Sequence, residues 1–480
     1  MVKTKVVGMI LIVLGIAIGG VIGWLLITQL GPAQPQALQN ELIGQLTGKD
    51  GFNDTTRFNV IGTDLGIVTK YQGQFRYIFG DTFGTDFMTI ESWDPFSTKD
   101  YAWRSQTMAL SNDTDPSDGI LLNDWIKDSP SGNATELFPS GKDMSRTTEL
   151  TAIATTAVTI NTSFYIFYMS VKSWGSTGHN WICNNASIAY SSDGAHFFKM
   201  NNMSWPTFSN CIQFAFVQDN RSTGLISDEI YFLTAPGNRN GGAYLVKVDK
   251  NQLLNQSAYR YLSLVDANNT PVWSSNMNAA KCVIPPTVGE LSVMWDKYLE
   301  KYVVTYTDIA HSGICLRVAE ELWGPWSAPY LIAHARDYPG LYGAFLHPDL
   351  VENNGQQIYF IMSRWNVYNT FVLRVDLTIL KNIQIQTSIL PFLLFGLSIV
   401  PAFSKDSENM VLPSEGYYLH LSKLFKLPYF PNQSYSLLAK ARSSLKAASS
   451  YEKIFLCANA SNISTKEILA ISAAFHALIR

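Results

Sequence analysis

Between residues 58 and 377 the chain repeats one pattern: a start marked by a small or polar residue, a short strand, a turn, then a second strand rich in Tyr, Phe and Ile. The aromatic strands are 75–81 (FRYIFGD), 163–170 (SFYIFYMS), 228–236 (DEIYFLTAP), 300–308 (EKYVVTYTD) and 356–363 (QQIYFIMS). Each follows its partner across a turn-forming stretch, and a further strand follows the last three. Repeats of this kind, each a small antiparallel sheet that must bury its faces on its neighbours, predict an all-β, five-bladed β-propeller over 58–377 rather than a β-sandwich. In a propeller the first strand of each repeat lines the central channel. Polar residues at those starts, Asp64, Glu149, Gln213, Glu290 and His347, are therefore expected to converge on one mouth.

The first repeat stands apart. Its two runs, LGIVTKY and FRYIFG, flank Gln72-Gly73, a turn in which glycine supplies the positive φ that hairpin loops need. Carried along an unbroken register, the pairing places Asp64 opposite Asp81. Directly opposed side chains have Cβ atoms roughly 4.5–5.5 Å apart, and like charges there are destabilising. The plain alternative is that each Asp caps its own turn. At the corresponding places the other four hairpins offer Met169, Ala235, Tyr306 and Ser363, so the first repeat alone carries a carboxylate at both positions.

Composition sets the surroundings. Hydrophobic residues make up 47% of the 480, charged residues only 15% and aromatics 13%, a balance that suits a surface meeting sugars. A net charge of −3 supplies no basic field for nucleic acid. Lys3 and Lys5 precede a run without charge up to Glu41, whose most apolar part, 6–30, exceeds the roughly 20 residues of a membrane-spanning helix. The expectation is an uncleaved anchor with a cytoplasmic N-terminus and the remainder exported, followed by a Pro/Gln-rich spacer over 31–57. Twelve Asn-x-Ser/Thr sequons agree with an external chain. In an oxidising exterior Cys183 would pair with Cys211 and Cys282 with Cys315, leaving Cys457 over; buried free thiols are the alternative. The cysteines and seven histidines show no metal-ligand spacing, and no cofactor is implied.

Residues 378–480 form an extension with an apolar segment at 387–403 broken by Pro391 and Pro401. That segment is expected to be buried or interfacial rather than a second span. Helical stretches are expected at 434–455 and 465–479, the second with Ser464 and Glu467 spaced as a capping box.

GTDLG at 62–66, FGDTFG at 79–84, WRSQTMAL at 103–110, YMSVKSWG at 168–175, GELSVMWD at 289–296, GPWS at 324–327 and MSRWNVYNTFVLRVDL at 362–377 together resemble the domain-of-unknown-function family 4185. Members of it are classed as glycoside hydrolase family 183, endo-D-arabinanases of mycobacterial arabinan. The resemblance implies a five-bladed propeller and a carboxylate pair mapping onto Asp64 and Asp81. On that reading Asp81 is nucleophile and Asp64 acid/base, mutual repulsion keeping one protonated, and the hairpin spacing favours the retaining route. Glu290 is the reserve acid/base. Trp103, Trp174, Tyr342, Trp365 and Tyr368 are candidates to stack on sugar rings; Arg104, Arg239, His347 and Asp349 are candidates to bond hydroxyls, and Glu149 and Gln213 complete the binding set. His347 can alternatively hold a central water or cation. SSDGAHF at 191–197 resembles the Asp-box turn of other propellers. The expected partner is a polysaccharide, whether the chain cleaves it or, as a non-catalytic adhesion propeller, only binds it.

Overall fold

The computed structural model describes residues 35–88, 101–175, 180–219 and 228–384. Two units divide the chain, Met1–Leu380 and Lys381–Arg480. The expected anchor, the apolar segment 387–403, both tail helices and Cys457 lie outside the described residues, among which no helix is long and apolar enough to cross a membrane.

The first unit is mostly β. Its strands form successive antiparallel meanders. Leu65–Tyr71, Gln74–Phe79, Thr107–Ser111 and Asp124–Trp125 make the first. Thr151–Ile160, Ser163–Ser173 and Ile182–Ser191, edged by two short strands, make the second. The third runs through Gln213–Gln218, Glu229–Ala235, Ala243–Asp249 and Arg260–Val265. The fourth runs through Leu291–Asp296, Lys301–Asp308, Gly313–Ala319 and Tyr330–His334. Two parallel pairs, Val217 with Val293 and Gln218 with Met294, join these last two into one larger sheet. Leu341–Glu352, Gln357–Arg364 and Asn369–Asp376 form the last, and its outer strand, Asn40–Gln45, comes from the front of the chain. Residues 36–45, expected as spacer, are thus part of the fold: Gln36–Ala37 also adds in parallel to Tyr330–His334.

Adjacent meanders share their cores, as aromatic and branched faces alternating along each strand require. Tyr77 and Phe79 pack with Tyr359 and Ile361, Met294 and Val303 with Phe360 and Met362, and Leu233 and Leu245 with Val293 and Val304. Ile67 and Ile78 join Ile153, Phe167, Phe214 and Phe232 in a fourth cluster. Ile67, Thr155, Phe216, Leu291 and Phe345, one from the first strand of each meander, line one small central cavity.

Among the described residues there is no disulfide: Cys183, Cys211 and Cys315 are buried free thiols and Cys282 is an exposed one. The Cys211 thiol lies 3.6 Å from the Thr234 hydroxyl and the Cys282 thiol 3.0 Å from the Ile284 carbonyl, contacts other than the expected partner thiols.

Candidate active site

The site grows from the first hairpin. Gln72 and Gly73 both have positive φ, giving the two-residue turn, and Tyr71 pairs with Gln74 as expected. The register then breaks. Leu65 and Gly66 take φ of 68° and 113°, and the ladder shifts so that Leu65 pairs with Phe79 and the Gly80 N–H donates to the Asp64 carbonyl at 3.0 Å. A Cβ on Gly66 would stand 2.7 Å from Ile361 Cγ2, so glycine is required there for both space and dihedral. Beyond Gly80 the ladder resumes with Gly62 facing Phe83, which leaves Asp81 and Thr82 opposite Thr63 alone. Asp81 is therefore not the direct cross-strand neighbour of Asp64, and the spacing drawn from an unbroken register does not hold. The correction has a local cause: glycine-assisted bulges at both ends of the pairing re-aim the two carboxyls.

Asp64 keeps partial exposure. Its Oδ2 accepts from Tyr342 Oη at 2.8 Å and, more loosely, from Tyr368 Oη at 3.4 Å, while Oδ1 is buried without a hydrogen-bond partner. Asp81, 6% exposed, accepts at Oδ1 from Trp103 Nε1 at 2.8 Å and Thr151 Oγ1 at 2.7 Å. Burial drives the Asp64 pKa up to about 8, assisted by the charge of Asp81 against the Tyr342 hydrogen bond. Burial also raises Asp81, but the Lys142 charge and its two donors oppose it and leave it at about 6. The pair is thus split: near neutrality Asp64 holds a proton and Asp81 does not.

Aromatic and charged groups tie the two carboxyls into one cluster. Tyr368 lies 5.7 Å from half-exposed Trp365 and 5.4 Å from Phe83, which in turn stacks on Trp103 at 6.3 Å. Trp365 also approaches Tyr342 at 6.4 Å. The Arg239 guanidinium sits 5.2 Å from the Tyr342 ring and 5.1 Å from that of Trp181, and binds Glu290 through both carboxylate oxygens at 3.0 and 2.5 Å. Burial pushes Glu290 up, yet the Arg239 charge and its hydrogen bonds outweigh it and hold the carboxyl below the usual glutamate range. A carboxylate so clamped is a poor proton donor, so Glu290 fixes Arg239 rather than serving as acid.

The other expected residues divide. Among the described residues Trp174 meets the cluster through Trp181, at 5.7 Å. Gln213 is buried and donates to the carbonyls of Pro236 and Asn238, holding the loop that presents Arg239. Glu149 pairs with Lys199 at 2.6 Å and caps Gly141; two residues on, Thr151 bonds Asp81 instead. Arg104 donates to the Asn59 carbonyl at 2.7 Å. His347 is not at the mouth: the strand Leu341–Glu352 begins earlier than expected, Tyr342 takes the place at its start, and His347 is fully buried beside Phe75 and Tyr77. Its Nδ1 accepts from Leu350 N–H, and burial drives its pKa down to about 3, so it is a neutral core histidine. Exposed Asp349 lies two residues along the same strand.

Sequence reasoning missed Thr151, Lys142, Glu136, Gly80 and Trp181; the GD in FGDTFG was the available signal for Gly80. Among the described residues one group has metal-ligand types in reach of each other, Asp308, His311 and Cys315. Asp308 there accepts from Thr287 Oγ1, Ala310 N and His311 Nδ1 at 2.7–3.0 Å, the same Asp-x-x-His turn that Asp193 and His196 form in the Asp-box stretch.

The chain is 27% identical over 353 residues to the notoamide biosynthesis cluster protein J' of Aspergillus versicolor, covering 71% of this chain and 90% of that protein. Among solved structures it is similar to an exo-beta-1,3-galactanase from Phanerochaete chrysosporium, with a TM-score of 0.44, 13% identity and coverage of 71% of this chain and 64% of that one. It is also similar to a family 117 glycoside hydrolase from Zobellia galactanivorans, with a TM-score of 0.41, 12% identity and coverage of 72% and 92%. The family model for the domain of unknown function DUF4185 matches residues 50–374, well over half of the sequence, and the chain belongs to that family.

Proposed function

We propose that the protein is a five-bladed β-propeller glycoside hydrolase that cleaves an uncharged, arabinan-like furanose polysaccharide internally. The observation that carries this reading is a pair of carboxyls in unlike settings, Asp64 with one oxygen unpartnered and Asp81 held by two donors, in one cluster with partly exposed aromatics; burial raises both, Asp64 the more. Asp64 donates its proton to the departing glycosidic oxygen while Asp81 attacks the anomeric carbon through Oδ2, since Oδ1 takes both hydrogen bonds. Asp64, now ionised, then draws a proton from the water that releases the sugar, and configuration is retained. Protonation assigns Asp64 as the acid; whether Asp81 attacks directly or activates a water is read from the anomeric configuration of the first product. Trp365, half exposed and beside Tyr342 and Tyr368, offers a ring face for a sugar. Arg239 faces Glu290 and Lys142 faces Glu136, so these cations are neutralised locally, which suits a neutral substrate.

On the sequence evidence of the charged flank and apolar run at 6–30, we place the protein at the cell membrane, with its amino terminus cytoplasmic and the propeller outside.

The test is incubation of the full chain with a panel of neutral furanose and pyranose polysaccharides, following oligosaccharide release and the anomeric configuration of the first product. Release with retention, lost by about 10²-fold or more in D64N and D81N, is the expected result. Binding of a polysaccharide with no release overturns catalysis and points to a carbohydrate-binding propeller; full activity in both variants overturns the assignment of Asp64 and Asp81.

A further inference from the structure

Asp81 is held at Oδ1 by two donors from distant parts of the chain, Trp103 and Thr151, 22 and 70 residues away. One side chain touches both arms. Lys142 Nζ stands 4.0 Å from the centre of the Trp103 ring. The same nitrogen donates to Ser105 Oγ at 2.8 Å, and Ser105 Oγ is 2.7 Å from Thr151 Oγ1. It also pairs with Glu136 Oε1 at 2.8 Å, and that oxygen accepts from Ser105 N at 2.8 Å and Ser140 Oγ at 3.1 Å. Glu136, Ser105 and Lys142 thus form a closed bracket behind the Asp81 carboxylate.

We propose that Lys142 is the positioning residue of Asp81, fixing both of its hydrogen-bond donors and keeping it ionised as the reactive carboxylate. The proposal rests on the glycosidase reading for what Asp81 does, though not for how Asp81 is held. A plain loop-stabilising ion pair with Glu136 would need neither the Trp103 face nor the Ser105 hydroxyl. Electrostatics agree: among the influences lowering Asp81 against its burial, the Lys142 charge is the largest, and Glu136 acts in the opposite sense. The other groups facing this centre are Asp64, which is raised by the Asp81 charge; Tyr368, neutral at all relevant pH; and Arg104, whose charge bears on Lys142 itself. Removing the ammonium leaves Asp81 buried with only neutral donors, so its proton affinity must rise.

The experiment titrates the full chain, selectively labelled with ¹³C at the aspartate Cγ, between pH 4 and 9, Asp81 being assigned by the signal missing in D81N. In K142M the Asp81 midpoint is expected to move upward by about one unit, a roughly tenfold gain in proton affinity, and K142R is expected to restore most of it. The acidic limb of kcat/KM should move with the midpoint. K142Q, which keeps a donor for Ser105 and drops only the charge, replaces K142M if that variant does not fold. An unchanged Asp81 midpoint in the charge-free variant overturns the proposal even if the enzyme is active. A shifted midpoint in a protein that cleaves no polysaccharide leaves the bracket standing and removes the glycosidase reading.

Discussion

Asp64 Oδ1 occupies the space that a side chain at Gly80 would need: a Cβ built there would lie 2.3 Å from that oxygen and 3.1 Å from Leu65 Cδ1. The absence of a side chain at Gly80 is what lets the acid carboxyl lie against the returning strand. G80A is therefore expected to displace Asp64 while leaving the meanders intact, lowering kcat by ~10²-fold, the scale of an ångström-sized misplacement of a catalytic group. Circular dichroism and kcat measured on the same preparation check this; normal turnover in a folded G80A protein contradicts it.

The two carboxyls set the pH profile. Activity requires Asp81 ionised and Asp64 protonated, so kcat/KM should be bell-shaped with limbs near 6 and 8. Tyr342 donates to Asp64 Oδ2 and so favours its charged form. Y342F removes that donor, and the basic limb is expected to move to higher pH by about one unit with the acidic limb nearly fixed. A basic limb that stays in place would remove Asp64 as the acid.

Stability should show the opposite face of the same arrangement. Asp64 has a folded pKa raised from 3.8 to about 8. A raised pKa means that the folded state binds the proton more tightly than the unfolded one, so the stability present at low pH is lost as pH rises from about 4 to 8. Asparagine mimics the neutral carboxyl and escapes that loss. D64N is expected to melt above the wild type at pH 8, with the gap narrowing toward pH 4, as thermal scans across that range would record. A D64N protein less stable than wild type at pH 8 would show that Asp64 is not strained in its ionised form.

What the sequence made legible was what depends on alternation. All five aromatic strands formed, because runs such as SFYIFYMS bury both faces between neighbouring sheets and leave no other packing solution. Asp64, Asp81, Trp103, Tyr342 and Tyr368, singled out from the first hairpin and the family motifs, do lie in one cluster. Register was less legible. Two bulges around Gly66 and Asp81 displace the pairing by one residue and then restore it, and period-two reasoning is blind to an extra residue. The same limit placed His347 where Tyr342 belongs and Glu149 where Thr151 belongs. Lys142 and Glu136 lie in an irregular segment, where no period points to a partner and only the tertiary fold brings the lysine to the tryptophan ring.

The strand Asn40–Gln45 lies beside Asn369–Asp376, with Asn40 facing Val375. The front strand clasps the last sheet. The sheets do not depend on where the backbone is cut, so the chain can be rejoined at that clasp and reopened at a surface turn such as Gln72-Gly73 without losing a strand. Shortening the front to residue 46, by contrast, strips the outer strand from the last sheet and exposes the edge of Asn369–Asp376 to pairing with other chains.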